Sequence, residues 1–403
     1  PEDAGMHSKV LLKVESLLNQ ALSVKAIPGC EVLVARDKKV VLHRSYGYHE
    51  YSDTVMVKPT DLYDLASVTK ISASLPPLMK LYDEGLFKLD ATLADYLPKF
   101  KRSNKADIPM YDILTHQARF KPWIPFWKNT VKENGGYKWS TIKSDSSKKY
   151  SIRLKDEMYL NRKYPDRIVK AIRKSALEGE KKYVYSDFFF ILAPRVVESM
   201  IEENFSAYIE KNFYAPLGAT TLTYNPLKKY SPDVIVPTEH DYYFRHEPIH
   251  GTVHDEGAIM LGGVSGHAGL FANANDLAKL MQMYLDMGEY GGRRYIKSET
   301  LKEWTRYQFP QNNNRRGLGF DKPSLQYIGD NSNAAKDASP LSFGHTGFTG
   351  TFAWMDPQTG LLYIFLSNRV NPTRENTKLY QLNTRTKIQQ VLYDAIKKDK
   401  PMP

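Results

Sequence analysis

The sequence predicts an α+β fold in which both ends of the chain build one antiparallel sheet, flanked by helices. Runs of β-branched and aromatic residues occur near both termini, whereas helical periodicity dominates the middle of the 403-residue chain. We therefore expect residues 1–66 and 277–403 to form an α/β sheet lobe. Residues 67–276 are expected to form an inserted, mostly helical lobe, with an irregular insertion around residues 120–182.

The N-terminal elements follow from spacing and turn residues. Apolar residues recur at helical spacing over residues 7–24, and Pro28-Gly29 ends this pattern, which predicts an amphipathic first helix. Residues 31–35 and 40–46 are β-rich and surround a charged turn, which predicts a hairpin. The chain is therefore expected to open with a helix followed by two strands.

The C-terminal end mirrors this order. Residues 351–355 and 361–367 flank Asp356-Pro357-Gln358-Thr359-Gly360, a segment of strong turn formers, and predict a second hairpin. Residues 377–396 predict one long closing helix. Between the two ends, helical patterns occupy residues 78–82, 188–201 and 205–214.

The composition limits the classes of function. The formal net charge is +11, and positive residues concentrate in 128–182 and at Lys397, Lys398 and Lys400. A solvated face and attraction to acidic polymers are both open interpretations, and the absence of a nucleic-acid-binding motif predicts no nucleic-acid partner. No apolar run reaches about eighteen residues, so no membrane span is predicted. The single cysteine, Cys30, excludes an internal disulfide and is predicted to be a buried structural thiol.

The first candidate for chemistry is Ser67-Val68-Thr69-Lys70. If Ser67 opens a helix, Lys70 lies one turn further on the same face. A desolvated lysine with a lowered pKa can take the proton of a serine hydroxyl, and the helix N-terminus favours a developing oxyanion. Taken alone, the motif also fits an N-cap serine followed by a surface lysine.

Two further motifs lie far along the chain. Tyr185-Ser186-Asp187 precedes an apolar helix, where the phenol can act as a proton shuttle or the next two residues can simply cap the helix. His345-Thr346-Gly347 is expected on a strand edge, where glycine lets a substrate approach and the amide of Phe348 can face a carbonyl oxygen. The alternative is a glycine-rich edge strand that binds no ligand.

The order of the three motifs resembles the serine β-lactamase and penicillin-binding protein superfamily, on the side of class C β-lactamases and family VIII esterases. The glycine-rich loop 261–271, followed by Asp276-Leu277-Ala278, is also similar to the family pattern. The resemblance covers about residues 27–396. It implies a β-lactamase-like fold, a site between two lobes, acyl transfer followed by hydrolysis, and no metal or organic cofactor.

The resemblance also implies roles for single residues. Ser67 is acylated, Lys70 and Tyr185 share the proton transfers, and the amides of Ser67 and Phe348 bind the oxyanion. The residues expected to act in catalysis or bind substrate are Ser67, Lys70, Tyr185, His345, Asp187, Thr346, Gly347 and Phe348. Asp187 stands where the family often has Asn, and His345 where β-lactamases carry Lys. These departures predict weak binding of a substrate carboxylate and poor β-lactam hydrolysis.

A narrower resemblance concerns segments 113–117 and 253–258, which are similar to serine hydrolases found beside, or fused behind, family 3 β-N-acetylglucosaminidases. It implies an amidase, peptidase or esterase acting on cell-wall-derived muropeptides, a possible fused glycoside hydrolase domain, and an extracytoplasmic, periplasmic-type location in a bacterium. The alternatives are a small-ester carboxylesterase, a weak β-lactamase, or a penicillin-binding sensor without turnover. Arg119 stands where these relatives commonly have Gly, and His116, His254 and His267 are either cleft residues or structural.

Overall fold

The computed structural model describes residues 1–52 and 54–396. The predicted cluster of Lys397, Lys398 and Lys400 lies outside the described residues. The strands are β1 Gly29–Arg36, β2 Lys39–Gly47, β3 Tyr63–Asp64, β4 Ile142–Lys143, β5 Tyr150–Lys155, β6 Met158–Asn161, β7 Thr223–Tyr224, β8 Glu239–Asp241, β9 Glu247–Ile249, β10 Leu270–Ala272, β11 Glu289–Tyr290, β12 Arg293–Arg294, β13 Phe343–Thr346, β14 Phe352–Asp356 and β15 Leu361–Ser367.

The helices vary from single turns to four turns in length. They are α1 Ser8–Ser23, α2 Leu75–Asp83, α3 Leu93–Tyr96, α4 Met110–Leu114, α5 Tyr164–Lys174, α6 Phe188–Glu198, α7 Phe205–Ile209, α8 Ala215–Leu217, α9 Glu256–Met260, α10 Ala274–Leu285, α11 Ser298–Thr305, α12 Lys378–Gln381 and α13 Thr384–Ala395. None of the helices within the described ranges combines the length and the apolarity needed to cross a bilayer.

The largest sheet joins the two ends of the chain. Its five strands are antiparallel in the order β13-β14-β15-β1-β2, so the C-terminal hairpin pairs directly with the N-terminal one. Val32 of β1 lies opposite Phe365 of β15 in this register. The predicted α+β fold, with one antiparallel sheet built from both termini, is therefore confirmed.

Helices cover both faces of this sheet. Because alternate residues of β1 point to opposite sides, this strand contributes side chains to the core on each face. Val32 and Val34 pack into a cluster with the apolar faces of α1 and α13, and the buried thiol of Cys30 lies in the same cluster. Leu33 and Ala35 belong to the larger core, which includes α10 and the helices of the middle region. Burial of each such Val or Leu side chain contributes about 1.5–3 kcal/mol.

The C-terminal helix differs from the prediction. Instead of one helix over residues 377–396, α12 and α13 are separated at Asn383, whose φ is 52°. This left-handed conformation interrupts an α-helix, and asparagine is among the few residues that adopt it at low cost. The apolar periodicity continues across the break, so spacing alone did not reveal it.

The middle of the chain contains more strands than predicted. Residues 120–182, expected to be irregular, contain the three-stranded sheet β4-β6-β5 and the helix α5. The small sheets β3-β10-β7 and β8-β9 were also not predicted, because strands of two or three residues are too short to show alternation. The predicted helical patterns at 78–82 and 188–201 correspond to α2 and α6, and the pattern at 205–214 to α7 and a following π-helical turn.

Candidate active site

Ser67 lies in the tight turn that connects β3 to the following helix. Ala66, just before it, has a φ of 46°, which is uncommon for a residue with a Cβ atom and marks local strain. The buried carboxylate of Asp64 fixes this turn, since its Oδ1 accepts from the amide of Ala66 at 2.9 Å and its Oδ2 from the amide of His254 at 2.8 Å. Burial raises the pKa of Asp64 to about 6.

Lys70 is fully buried beneath Ser67, in a π-helical turn that precedes α2. Its Nζ donates to Ser67 Oγ at 2.9 Å and to the carbonyl oxygen of His267 at 3.2 Å, and it forms an ion pair with Asp187 Oδ1 at 2.7 Å. Burial alone lowers the pKa of Lys70, but the carboxylate of Asp187 outweighs this effect, so the pKa of Lys70 lies above its ordinary value. The expected lowered pKa of Lys70 is therefore wrong.

Tyr185 approaches Ser67 from the other side, and its hydroxyl donates to Ser67 Oγ at 3.1 Å. Burial raises the pKa of Tyr185 although Lys70 lies close by, so the phenol is protonated at neutral pH. The amide of Ser186 donates to His116 Nδ1 at 3.2 Å and thereby holds this loop in place. Asp187 precedes α6, but its side chain makes no capping hydrogen bond and faces Lys70 instead.

His345 lies on β13 with 3% of its surface exposed. Its Nδ1 is 2.7 Å from the carbonyl oxygen of Thr346, which assigns the proton to Nδ1 and leaves a lone pair on Nε2. Within the described ranges, Nε2 has no hydrogen-bonding partner. Burial, together with the nearby charges of Arg316 and Lys70, lowers the pKa of His345 to about 3, so the ring is neutral.

The end of β13 is fastened to the turn before Ser67. Thr351 Oγ1 donates to the carbonyl oxygen of Leu65 at 2.9 Å, and Thr349 Oγ1 donates to that of Asp64 at 2.9 Å. Gly347 is needed here because a Cβ atom would lie 2.0 Å from Thr351 Oγ1 and 2.6 Å from the carbonyl oxygen of Leu65.

This packing leaves two backbone amides available for a ligand. In the part of the chain that the structure describes, the amides of Ser67 and Phe348 donate to no protein acceptor. Two such donors beside a nucleophile can bind the oxyanion that develops when a carbonyl carbon is attacked.

The sequence-predicted residues meet in one cleft of about 720 Å³. Seven of the eight line it, and Lys70 lies beneath its floor. The lining residues are Ala66, Ser67, Trp123, Tyr183, Tyr185, Asp187, His254, Asp255, Glu256, His267, Ala268, Arg315, Arg316, Asp321, His345, Thr346, Gly347, Phe348, Arg374, Tyr380 and Arg385.

Sequence reasoning missed the arginines of this cleft, above all Arg315 and Arg316. Arg315 Nε is 2.8 Å from Asp321 Oδ1, and Arg316 Nη1 is 3.4 Å from the same oxygen. Two guanidinium groups thus share one carboxylate beside His345, and the buried Nε of Arg316 has no hydrogen-bond acceptor among the described residues. The only sequence signal was a pair of arginines next to Gly317, in a loop without periodicity.

The three histidines that the sequence left open, His116, His254 and His267, lie in or behind the cleft. His267 and His254 line the cleft, but both ring nitrogens of His267 have partners, Asp255 Oδ1 at 2.9 Å and Ser265 Oγ at 2.7 Å. His116 is buried behind Tyr185, with ring centroids 4.7 Å apart.

Arg119 is exposed and lies outside the cleft lining. Its φ is 61°, a left-handed conformation that glycine adopts without strain. The glycine that the resemblance leads us to expect at this position would therefore fit the backbone. Because Arg119 lies outside the cleft lining, it does not replace the lysine that β-lactamases carry at the position of His345.

Comparisons with known proteins identify the family of this chain. The beta-lactamase family model matches residues 14–386. A protein of Escherichia coli (strain K12), named "Putative D-alanyl-D-alanine carboxypeptidase", is 32% identical over 402 residues, which cover 92% of this chain and 84% of that protein.

Solved structures share the fold at low sequence identity. A penicillin-binding protein homologue from Caulobacter crescentus superposes with a TM-score of 0.66 at 17% identity, covering 96% of this chain and 97% of that one. A class C beta-lactamase superposes with a TM-score of 0.67 at 14% identity, covering 98% of both chains. The family match and the E. coli relative show that this chain belongs to the beta-lactamase family and is a serine hydrolase related to penicillin-binding proteins.

Proposed function

We propose that this enzyme hydrolyses cell-wall-derived peptides through an acyl-enzyme on Ser67, and that it selects peptides with a free carboxylate beyond the scissile bond. The observation that carries the proposal is the contact of Ser67 Oγ with both Lys70 Nζ and Tyr185 OH, at 2.9 and 3.1 Å, in a cleft with the paired Arg315 and Arg316. The name of the E. coli relative, a D-alanyl-D-alanine carboxypeptidase, supports the same substrate class.

The charge states of Lys70, Asp187 and Tyr185 define the proton path of the proposal. At rest Lys70 is an ammonium ion paired with the carboxylate of Asp187, and Tyr185 is a neutral phenol. Lys70 first releases one proton to solvent, and the neutral amine then takes the proton of Ser67 as Oγ bonds to the carbonyl carbon. The amides of Ser67 and Phe348 stabilise the oxyanion.

The same groups complete the reaction. When the carbon–nitrogen bond breaks, Tyr185 gives its proton to the leaving nitrogen and is reprotonated by Lys70. A water molecule then attacks the ester and loses a proton to Lys70, and the released Oγ of Ser67 is protonated through Tyr185. Lys70 finally regains a proton from solvent, which restores the resting ion pair with Asp187.

The pair of Arg315 and Arg316 changes the expectation that the site binds a substrate carboxylate weakly. His345 is neutral and contributes no charge. Arg315 and Arg316 together carry one positive charge more than Asp321 can neutralise. Asp187 is already paired with Lys70, so it repels a carboxylate less than an unpaired acid would. A free carboxylate is therefore part of the proposed substrate.

The proposal is tested with two matched peptides ending in D-alanyl-D-alanine, one with a free terminal carboxylate and one amidated. Release of the terminal residue is measured for the wild type and for Ser67→Ala. We expect the wild type to hydrolyse the peptide with the free carboxylate and to hydrolyse the amidated peptide much more slowly. Ser67→Ala should hydrolyse neither peptide above background. Acylation without release would indicate the penicillin-binding sensor, and preference for p-nitrophenyl acetate would indicate the esterase.

Two sequence predictions stay predictions. A fused family 3 glycoside hydrolase domain and an extracytoplasmic location both fit a cell-wall-derived substrate. Secretion-reporter fusions of the full-length protein would test the location.

A further inference from the structure

The excess of positive over negative charge is concentrated in one segment of the chain. Residues 120–182 contain 17 Lys and Arg residues against seven Asp and Glu residues, so they hold ten of the eleven net charges of the chain. The rest of the chain is therefore nearly neutral. A charge excess distributed for solubility alone would not concentrate in a sixth of the sequence.

Within this segment, α5 presents a stripe of cations. Lys163, the residue before the helix, is followed at helical spacing by Arg167, Lys170 and Lys174, and all four side chains are exposed. The opposite face of α5 is buried in the core. Like charges at positions i, i+4 and i+7 repel one another and destabilise the helix.

Acidic residues do not neutralise this stripe. Asp166, the one acidic residue of α5, pairs with Arg195 outside the segment, with 3.0 Å between Oδ1 and Nη1. In residues 1–52 and 54–396, none of the four stripe cations forms an ion pair. Their charges are therefore available to a partner.

The cationic surface continues beyond both ends of the helix. At the N-terminal end, the amide of Arg162 donates to the carbonyl oxygen of Lys149 at 2.9 Å, which brings two further exposed cations together. At the C-terminal end lies a concavity of about 460 Å³. It is lined by Arg102, Ser103, Asn104, Arg173 and Lys174.

We propose that this surface, defined by Lys149, Arg162, Lys163, Arg167, Lys170, Lys174 and the concavity beside Arg102, binds a linear polyanion. The stripe on α5 is about 16 Å long at 1.5 Å per residue, and its cations recur at every turn. A polymer with regularly spaced phosphate or carboxylate groups matches that spacing.

A membrane surface fits this face less well. A helix that docks on a bilayer combines cations with large apolar side chains that enter the interface. In residues 120–182, all of which are described, the large apolar side chains that are strongly exposed are Trp123 and Trp139, and neither lies on α5.

The charged segment that contains the polyanion surface borders the catalytic cleft at its ends. The hydroxyl of Ser186 donates to the carbonyl oxygen of Lys121 at 2.6 Å, and the amide of Asp187 donates to that of Pro122 at 2.9 Å. Both ends of the charged segment thus meet beside Tyr185. A polymer bound to this surface would keep the enzyme close to polymer-attached substrate without touching Ser67.

The test compares two variants with the same loss of charge. In the first, Lys163, Arg167, Lys170 and Lys174 are all changed to Gln. In the matched control, four exposed lysines elsewhere, Lys9, Lys13, Lys302 and Lys387, are changed to Gln. Binding to fluorescent long-chain inorganic polyphosphate is measured by anisotropy over a range of salt concentrations. Phosphonylation of Ser67 by a fluorophosphonate, with loss of fluoride, verifies that both variants are folded.

We expect the stripe variant to lose about tenfold or more in affinity and the salt dependence to become shallower by about three units of log–log slope, at roughly 0.7 per lost contact. The control should remain within about twofold of the wild type, since its cations do not form the surface. Equal losses in both variants, or no binding by the wild type at physiological salt, would overturn the proposal. Binding to phosphatidylglycerol vesicles in place of polyphosphate would overturn it as well.

Discussion

Lys70 shows how a single neighbour sets the charge state of a buried side chain. Burial of Lys70 favours the neutral amine, although the rings of Tyr185 and Phe190, with centroids 5.1 and 5.5 Å from Nζ, attract a cation. The carboxylate of Asp187 at 2.7 Å outweighs this desolvation and holds the ammonium ion. His116 and His345 also face Lys70, but both are neutral because burial lowers their pKa values.

Asp187→Asn is expected to change the pH dependence of catalysis. In the wild type, Asp187 holds Lys70 as the ammonium ion, so kcat/KM should rise with pH as Lys70 loses its proton. The variant lacks this negative charge, and burial then lowers the pKa of Lys70. The rising limb of its kcat/KM profile should therefore lie at lower pH than that of the wild type. A loss of the same size at every pH would mean that Asp187 only maintains the structure.

Arg315→Gln is expected to affect only substrates with a carboxylate. A charge-assisted hydrogen bond contributes about 1.5–3 kcal/mol, so kcat/KM on a peptide with a free C-terminus should fall about tenfold to a hundredfold. The amidated peptide provides the control, and its kcat/KM should stay within about twofold. A parallel loss on both peptides would place the carboxylate elsewhere.

The neutral state of His345 predicts how the stability of the protein depends on pH. Its pKa in the folded protein is about 3, below the ordinary value near 6.5, so at intermediate pH the unfolded chain binds a proton that the folded protein does not. The stability that the neutral ring contributes is therefore lost as the pH falls from about 6.5 towards 3.

His345→Gln removes the pH-dependent contribution of His345 to the free energy of unfolding. His116 and His254 are present in both proteins, so their contributions are the same in both. Between about pH 7.5 and 5, the variant should lose about 2 kcal/mol less free energy of unfolding than the wild type. Urea denaturation at the two pH values measures the difference. Identical losses would show that His345 titrates normally in the folded state.

The sequence was informative about which residues form the site but not about their charges. Ser67, Lys70, Tyr185 and His345 belong to short motifs whose order along the chain indicated one cleft. The ionisation of Lys70 depends on a contact between distant parts of the chain, and the pairing of Arg315 and Arg316 with Asp321 depends on a loop conformation. Neither leaves a periodic pattern in the sequence.

Among the elements, the junction between β13 and the Ser67 turn is the most sensitive to change. In Gly347→Ala, the new Cβ atom would lie 2.0 Å from Thr351 Oγ1, so β13 must move away from the turn. The amide of Phe348 would move with it. Loss of one oxyanion donor costs about 10²–10³ in kcat, and we expect a fall of that size.

Gly136→Ala is the matched control for this prediction, because the closest atom to its new Cβ is 3.4 Å away and its backbone is unstrained. Steady-state kinetics and a thermal melt of both variants separate catalysis from stability. If Gly347→Ala retained the kcat of the control, Phe348 would not belong to the oxyanion site.

Strands and helices were predictable in proportion to their length. The two long hairpins alternate over enough residues to identify them, and their turns contain strong turn formers. The sheet β4-β6-β5 was missed because its outer face presents Lys143, Tyr159 and Arg153, which reads as a polar loop. The break at Asn383 was missed because one left-handed residue does not disturb apolar spacing.

At the scale of the whole molecule, the sheet built from both termini sets the distance between the two halves of the site. The strand β13 belongs to that sheet, whereas Lys70 and Tyr185 come from the helical region between the termini. Ser67 lies where these parts meet, beside the hydrogen bonds that Thr349 and Thr351 donate to the turn before it. The exact boundaries of the two lobes, 1–66 with 277–403 and 67–276, stay predictions.

The central claim is that Ser67 forms the covalent intermediate. The most direct measurement is intact-protein mass after exposure to a fluorophosphonate and, separately, to a penicillin, followed by peptide mapping of the adduct. We predict one adduct per chain, located on Ser67 and absent from Ser67→Ala. An adduct that persists in Ser67→Ala, or that maps to another residue, would contradict the account.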